Sequence, residues 1–370
     1  MKSSATFLRI IFVSCRLPLA SKFCIFRKNP TNMLQTLPFL PTEVLTQIFT
    51  LTTTLDSGVS LRSLLRVSQH FHDICLPLRF HCVSLTTSSS IKRLDQELKR
   101  LEGSPAHLQR ILHLYISPTQ SDVQADSECE TISQIFCILQ NAAETLQTLT
   151  FIYHNTLLST SVLGRLFRNS FPVLTELTIH GFYPFPSPMP SNESPASIPI
   201  IEMNESFMPM LQRLHLSGNR NPYGLLQLSS FDKCFPSLSH LRISGLLMAG
   251  SFVEEIKDAL EKHTAYDDLK SKGSCGTLLN WQARLPNKLQ SVVLQPGFMP
   301  PHNRVGVVGS AVKKDTWMMI QLKDIEEAAK RRRSVRVMLK DRMQDPDRVS
   351  VNSVLYCDWL GRMNGDEGCW

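Results

Sequence analysis

The sequence predicts a mixed α/β fold, in which a small helical module precedes a larger parallel sheet. Between residues 42 and 77, apolar residues recur at the three- and four-residue spacing of amphipathic helices. Between residues 111 and 294, a leucine-rich pattern short enough to form a strand occurs six times. The gaps between these patterns have room for helices and turns, so the strands are expected to be parallel and covered.

The helical module begins at Pro41, which can start a helix without losing a hydrogen-bond donor. Glu43 follows in the first turn, where the helix dipole favours a carboxylate. The apolar stripe of this helix consists of Val44, Leu45, Ile48 and Phe49. After a polar break, a second periodic run consists of Leu61, Leu64, Leu65, Val67, Phe71 and Ile74. Two or three short helices are expected, and a bundle of about 45 residues needs a partner to bury enough apolar surface.

This segment resembles the F-box, the three-helix module by which substrate receptors bind the Skp subunit of Skp–cullin ubiquitin ligases. The resemblance rests on two half-motifs, Leu40-Pro41-x-Glu43-x-Leu45-x-x-Ile48-Phe49 and Val67-Ser68-x-x-Phe71-x-x-Ile74. The first half alone could start an ordinary core helix, and the second half favours the F-box. The family often has tryptophan at the position of Phe71, where this chain keeps an aromatic ring. The resemblance implies that the residues that hold the module together or face Skp are Leu40, Pro41, Leu45, Ile48, Val67 and Phe71.

The strand pattern is L-x-x-L-x-L, with isoleucine, valine or phenylalanine allowed at the leucine positions. Its occurrences are Ile111-Leu114-Ile116, Leu146-Leu149-Phe151, Leu174-Leu177-Ile179, Leu211-Leu214-Leu216, Leu238-Leu241-Ile243 and Leu289-Val292-Leu294. Three of them share an entry of an apolar residue and a proline, at Phe171-Pro172, Met208-Pro209 and Phe235-Pro236. A shared entry argues against chance. Alternation at Val335, Val337 and Leu339 predicts one more strand.

Helices are predicted before and between these strands. A connecting helix at 89–102 has Ser90 placed to cap it and Gly103 placed to end it. A capping box at Ser251-x-x-Glu254 predicts the start of another. Apolar helical faces are formed by Ile132, Ile135, Phe136 and Leu139, by Leu163, Leu166 and Phe167, and by Leu322, Ile325, Ala328 and Ala329. The last of these helices ends in Arg331–Arg333, which suit the negative end of its dipole.

The alternation of strands and helices resembles the leucine-rich repeat, whose units each add one strand to a curved parallel sheet. The resemblance spans about residues 111–339, with irregular spacing. Asn219 alone occupies the place where the family's asparagine bonds the backbone between units. The alternative is a different α/β sheet domain with leucine-rich strands. The expected architecture is a small N-terminal three-helix F-box followed by a curved leucine-rich-repeat-like solenoid with a parallel sheet. An F-box, irregular leucine repeats and an ending such as Gly368-Cys369-Trp370 are together similar to F-box families of mushroom-forming fungi (basidiomycetes).

Composition excludes several classes of function. Of the formal net charge of +7, the first 33 residues supply six positive charges and no acid, which leaves +1 for the rest. The folded body is therefore not expected to bind nucleic acid. The ten cysteines form no CxxC pair, which suits reduced thiols, and the His and Cys residues between 70 and 82 fit no zinc pattern. We expect no cofactor, metal or membrane span, and no nucleotide-binding or hydrolase motif occurs.

The predicted organisation has five parts. They are a basic unstructured leader or overlong gene model at 1–33, the F-box at 34–86, a linker helix at 87–104, a leucine-rich-repeat-like substrate-binding domain at 105–345 with a loop at 184–206, and a capping tail at 346–370. In the tail, Trp359 is expected to cap the repeat core. The acid-free leader also fits a transit peptide, in which case the protein would be organellar.

The predicted function is that of a non-catalytic adaptor of a Skp–cullin–F-box ubiquitin ligase in the cytoplasm, the nucleus or both. Its partners would be a Skp-family subunit, through it a cullin, and a protein substrate. The alternative is a protein-interaction scaffold outside a ligase. Because alternate strand residues face opposite sides, the substrate is expected to meet a mostly basic, exposed strip. The residues of this strip are Glu176, Thr178, His180, Arg213, His215, His240 and Arg242. Arg213 beside His240, and His215 beside Arg242, could bind an acidic or phosphorylated segment, and a plain solvated face is the alternative.

Overall fold

The computed structural model describes residues 40–56, 58–118, 125–186, 207–270, 283–299, 308–332, 335–344, 350–365 and 370. The chain divides into two compact units, Met1–Pro41 and Thr42–Trp370. Leu40 and Pro41 are the described residues of the first unit. The predicted leader and residues 187–206 of the predicted loop lie outside the described residues.

Three short helices open the second unit, α1 (Thr42–Leu55), α2 (Val59–Leu64) and α3 (Gln69–Cys75), and a 3-10 turn follows at Leu76–Leu78. The side-chain oxygen of Ser68 caps α3 by accepting the backbone N–H of Phe71 at 3.2 Å. The helices enclose a small core of their own, made of Leu45, Phe49, Leu61, Ile74, Cys75 and Leu78. The periodic apolar residues of the sequence therefore do form helices here.

Eight strands form one parallel sheet in which every strand lies beside its predecessor in the chain. They are β1 (Cys82–Leu85), β2 (His113–Ile116), β3 (Thr148–Ile152), β4 (Glu176–His180), β5 (Arg213–Ser217), β6 (His240–Leu246), β7 (Ser291–Pro296) and β8 (Arg336–Leu339). The predicted mixed α/β fold and parallel sheet are confirmed. All seven strands expected from the sequence are present.

The first strand differs from the prediction. β1 lies inside the segment 34–86 that was expected to be helical, and it pairs with β2 from Cys82 opposite His113. The residues Phe80, Val83 and Leu85 follow the same L-x-x-L-x-L spacing and pack against the sheet core. The sheet therefore begins some twenty residues before its predicted start at 105.

One face of the sheet carries the repeated leucines and is covered by helices. The register places Leu114, Leu149, Leu177, Leu214, Leu241 and Val292 side by side on successive strands. Their covering layer includes α4 (Ser88–Arg100), α5 (Ala125–Ala142), α6 (Ser159–Phe167), α7 (Leu225–Leu228), α8 (Phe231–Cys234), α9 (Gly250–Lys270) and α10 (Val308–Arg332). The apolar side chains of this layer and the leucines form one continuous core.

Two helix starts differ from the prediction. Thr87, rather than Ser90, caps α4, and Ser90 completes a capping box with it. This helix packs on β1 and α5, so it belongs to the covering layer. α9 already begins at Gly250, so Ser251 lies inside the helix and is not its cap.

The other face of the sheet carries polar side chains, and a last helix, α11 (Val351–Met363), lies against it. Within the part of the chain that the structure describes, no helix is long and apolar enough to cross a membrane. The described residues contain eleven α-helices in all.

Candidate protein-interaction surfaces

The first candidate surface is a second apolar stripe on α1. An α-helix has about 3.6 residues per turn, so residues spaced by three and four share a face. One such face is buried and consists of Leu45, Phe49, Thr52 and Thr53. The adjacent face is exposed or half-exposed and consists of Val44, Ile48, Leu51 and Leu55. We name the second set the outer stripe. It leaves apolar side chains in contact with solvent, with Leu51 at 55% exposure.

The residues predicted for Skp binding divide into two groups. Leu45 is buried, and Phe71 contacts Phe49 edge-on with ring centroids 5.0 Å apart, so both hold the helices together. Ile48 is half-buried against the same core. Leu40, Pro41 and Val67 are exposed, Val67 to 62%. The exposed group is accessible to a partner, whereas the buried group acts through the fold.

The second candidate surface is the polar face of β4, β5 and β6. The register aligns Glu176, Arg213 and His240 in one row, and Thr178, His215 and Arg242 in the next. The predicted neighbours, Arg213 beside His240 and His215 beside Arg242, are therefore confirmed. A third row consists of His180, Ser217 and Ser244.

The prediction that this strip is exposed is wrong at its centre. His215 is 1% exposed and Arg242 is 4% exposed, because α11 lies over them. The Nη1 atom of Arg242 lies 3.3 Å from a carboxylate oxygen of Asp358 on α11. At the edge of the strip, Glu176 pairs with Arg213 at 3.0 Å and also with Arg362 of α11. The cations of the strip are therefore already paired by carboxylates of the same chain.

The remainder of α11 is held by apolar contacts further along the sheet. Leu355 and Trp359, one turn apart, pack against Cys82, Tyr115 and Ile152 on β1 to β3. Beside them, the Tyr115 hydroxyl donates to the carbonyl oxygen of Asn352 at 3.1 Å. Trp359 was expected to cap the repeat core, but it lies on the opposite, polar face of the sheet. The leucine core instead continues beneath the covering helices.

The strip is also less basic than predicted, because burial keeps its histidines neutral. Burial first and nearby His154 second lower the pKa of His180 to about 4. The pKa of His215 is lowered well below its usual value by burial first and by the Arg242 guanidinium second. Burial and Arg213 lower the pKa of His240. At neutral pH these rings act as neutral hydrogen-bonding groups.

Polar atoms under α11 are incompletely satisfied. His215 uses Nε2 to bond the Ser244 hydroxyl at 2.7 Å. Its Nδ1 atom is buried and has no hydrogen-bond partner within the described residues. The same holds for the indole Nε1 atoms of Trp359 and Trp370. A small cavity separates α11 from the sheet and is lined by His215, Trp359 and Arg362 among others. Buried polar groups usually have partners, so the fit between α11 and the sheet is imperfect.

The acid and the arginine that α11 brings to this face were not among the residues predicted from the sequence. Asp358 and Arg362 are one helical turn apart, as are Leu355 and Trp359, and this spacing does predict an amphipathic helix. Nothing in the spacing indicates which face of the sheet such a helix would cover. Contacts between residues far apart in the chain supply that information.

No protein-family model, curated protein or solved structure matches this chain. In the described ranges, no group of three or more His, Cys, Asp or Glu residues could hold a metal ion.

Proposed function

We propose that this protein is the substrate-recognition adaptor of a Skp–cullin–F-box ubiquitin ligase. In this proposal, α1 to α3 are an F-box that binds the Skp subunit, and the sheet domain binds a target protein. The outer stripe of α1 carries the proposal. Val44 and Leu51 leave apolar surface exposed on this helix face, and the face lies within the segment that resembles the F-box motif.

The geometry of the sheet supports a leucine-rich-repeat-like solenoid as the second part. Each strand neighbours its predecessor, the leucines align from strand to strand, and helices cover one face. The Nδ2 atom of Asn219 donates to the backbone carbonyl oxygen of Tyr183 at 3.3 Å, between two successive units. That is the role which the repeat family assigns to its asparagine.

The adaptor itself would perform no chemistry. By holding a target protein beside the ubiquitin-loading module of the ligase, it would raise the effective concentration of the target lysine. Its Skp and cullin partners would place it in the cytoplasm or the nucleus.

Replacing Val44 and Leu51 together by aspartate tests the Skp-binding proposal. Both side chains are exposed, so the fold should tolerate the change. Charges placed in an apolar interface remain unpaired when the partner binds, at a cost of about 2 kcal/mol or more at central positions. We expect the affinity for the Skp subunit, measured by titration with purified proteins, to fall at least tenfold.

The matched control replaces Leu157 and Leu228 by aspartate, since these are also exposed leucines but lie outside the module. The control should bind Skp as the wild type does. If the Val44 and Leu51 variant stays folded and binds Skp with unchanged affinity, the F-box assignment is wrong, and a scaffold outside a ligase becomes the better proposal.

A further inference from the structure

We propose that the polar face over β4 to β6 is the binding site for a partner protein's amphipathic helix with an acid and an arginine one turn apart, and that α11 occupies this site as an internal mimic of that helix. Calling the partner a ligase target rests on the function proposed above. The binding site itself does not depend on it.

The contacts of α11 indicate what the site recognises. Leu355 and Trp359 bury an apolar edge against β1 to β3. One turn apart on the same helix, Asp358 reaches Arg242 on β6 and Arg362 reaches Glu176 on β4. The occupant is thus a helix with a leucine, an acid and a tryptophan followed by an arginine, at the spacing Leu-x-x-Asp-Trp-x-x-Arg.

A helix that only shields a sheet does not need a polar contact of this kind. Replacing a buried ion pair by well-packed apolar residues is often neutral or stabilising. A helix that only shielded the sheet could therefore use apolar residues at the positions of Asp358 and Arg242. The Nη2 atom of Arg242 also bonds the Gln295 side chain at 2.7 Å, so the guanidinium is held in place from the sheet side. This is the arrangement of a site that selects an acid.

The imperfect fit leaves room for a better occupant. The Nδ1 atom of His215, on the sheet side of the site, is buried and lacks a partner within the described residues. A buried polar group without a hydrogen-bond partner costs stability. A partner helix that offers a hydrogen-bonding group at this position would recover part of that cost, which α11 does not.

A tethered helix competes strongly, because covalent linkage gives it an effective concentration on the order of millimolar. A partner in solution should therefore bind weakly to the wild-type protein. The partner should bind more tightly when the charged side chains of α11 are removed and the charged side chains of the sheet, Arg242 and Glu176, are kept.

The test uses the full-length protein and a fluorescently labelled peptide with the sequence of residues 350–363. The double variant Asp358→Ala with Arg362→Ala removes the ionic contacts of α11 and keeps Arg242 and Glu176. Fluorescence anisotropy should show at least tenfold tighter peptide binding to this variant than to the wild type. A peptide with arginine in place of its aspartate should bind neither protein.

The matched control is Glu327→Ala with Arg331→Ala, another acid and arginine one turn apart, on the exposed side of α10. The control should bind the peptide as weakly as the wild type. If the double variant melts at a temperature near that of the wild type but binds the peptide no more tightly, the inference is overturned.

If the double variant does not fold, Asp358→Asn replaces it, because this change keeps the shape of the side chain and removes only its charge. We then expect faster hydrogen exchange in residues 350–365 together with tighter peptide binding, and unchanged values of both would overturn the inference. Skp affinity is measured on every variant. Lost peptide binding with normal Skp binding counts against the inference alone, and the reverse counts against the proposed function alone.

Discussion

At the scale of single residues, a buried carboxylate organises the loop before β6. Glu255 on α9 is 3% exposed and accepts three backbone N–H groups, from Gly224 and Leu226 at 2.6 Å and from Gln227 at 3.0 Å. These donors belong to the first turn of α7, where a helix has N–H groups without partners in the helix itself. The Glu255 side chain thus holds the short helix α7 against the long helix α9.

Replacing Glu255 by alanine should destabilise the fold by about 2–4 kcal/mol, because buried N–H groups would lose their acceptor. Replacing it by glutamine keeps one acceptor oxygen and should cost less. Denaturant unfolding monitored by circular dichroism measures both. Glu254→Ala, at the exposed neighbouring position, should change the midpoint little. Equal midpoints for the alanine variants at 254 and 255 would contradict the role given to Glu255.

At the scale of elements, the strand ends approach one another through glycine. Gly218 follows β5 with a φ of 107°, in the region that favours glycine. A Cβ atom at this position would lie 2.6 Å from the backbone nitrogen and oxygen of Gly181 after β4. The backbone after β5 can therefore lie close to the backbone after β4 only because residue 218 has no side chain.

Gly218→Ala should therefore destabilise the protein more than Gly103→Ala. Gly103 also has a positive φ, of 85°, but a Cβ atom there would meet nothing within 4 Å. Gly103→Ala therefore measures only the cost of the backbone strain, about 1 kcal/mol, whereas Gly218→Ala adds a steric clash to that strain. Thermal unfolding of both variants measures the difference. A Gly218 variant as stable as the Gly103 variant would mean that the strands can separate without loss.

At the scale of the whole molecule, buried histidines should make the fold sensitive to acid. The pKa values of His81, His113 and His180 are lowered to about 4 from an ordinary value of 6.5, chiefly by burial. Arg110 adds to the effect at His81, and His81 adds to it at His113. The folded protein therefore binds fewer protons than the unfolded chain between about pH 6.5 and pH 4.

Stability should be complete above about pH 6.5 and should fall as the pH is lowered towards 4, because protons bind the unfolded chain first. Denaturant midpoints at pH 7.5 and pH 4.5 measure this loss. His113→Gln with His180→Gln should reduce the difference between the two midpoints. The same substitution at His70, which is exposed, should leave the difference as in the wild type. A difference unchanged by the double substitution would show that other groups cause it.

The sequence predicts those parts of the fold whose pattern lies within a single segment of the chain. The strands follow from a two-residue alternation that each segment carries by itself, as at Leu177 and Ile179. β1 carries the same alternation at Val83 and Leu85. Because it directly follows the three helices, it was assigned to the helical module and not predicted as a strand. On α1, the helical spacing in the sequence predicts one stripe that contains both Val44 and Leu45. Only the packing of α2 and α3 decides that Leu45 is buried and Val44 exposed.

The candidate site on the sheet was predicted only in part. The neighbours Arg213 and His240 follow from the register of aligned repeats. The burial of His215 and Arg242 does not, since it depends on a helix more than a hundred residues further along the chain. A prediction from local patterns places side chains on a face and leaves open what covers that face.

The position of α11 also has a consequence for how the protein unfolds. In a sheet whose strands follow chain order, each unit contacts mainly its neighbours, so units could melt one after another. The hydrogen bond between Tyr115 and Asn352 joins residues 237 positions apart, and Arg242 and Asp358 join β6 to the same helix. α11 thereby contacts both β2, near the start of the sheet, and β6, near its end. We therefore expect the strands to unfold together in one cooperative transition, and not one after another.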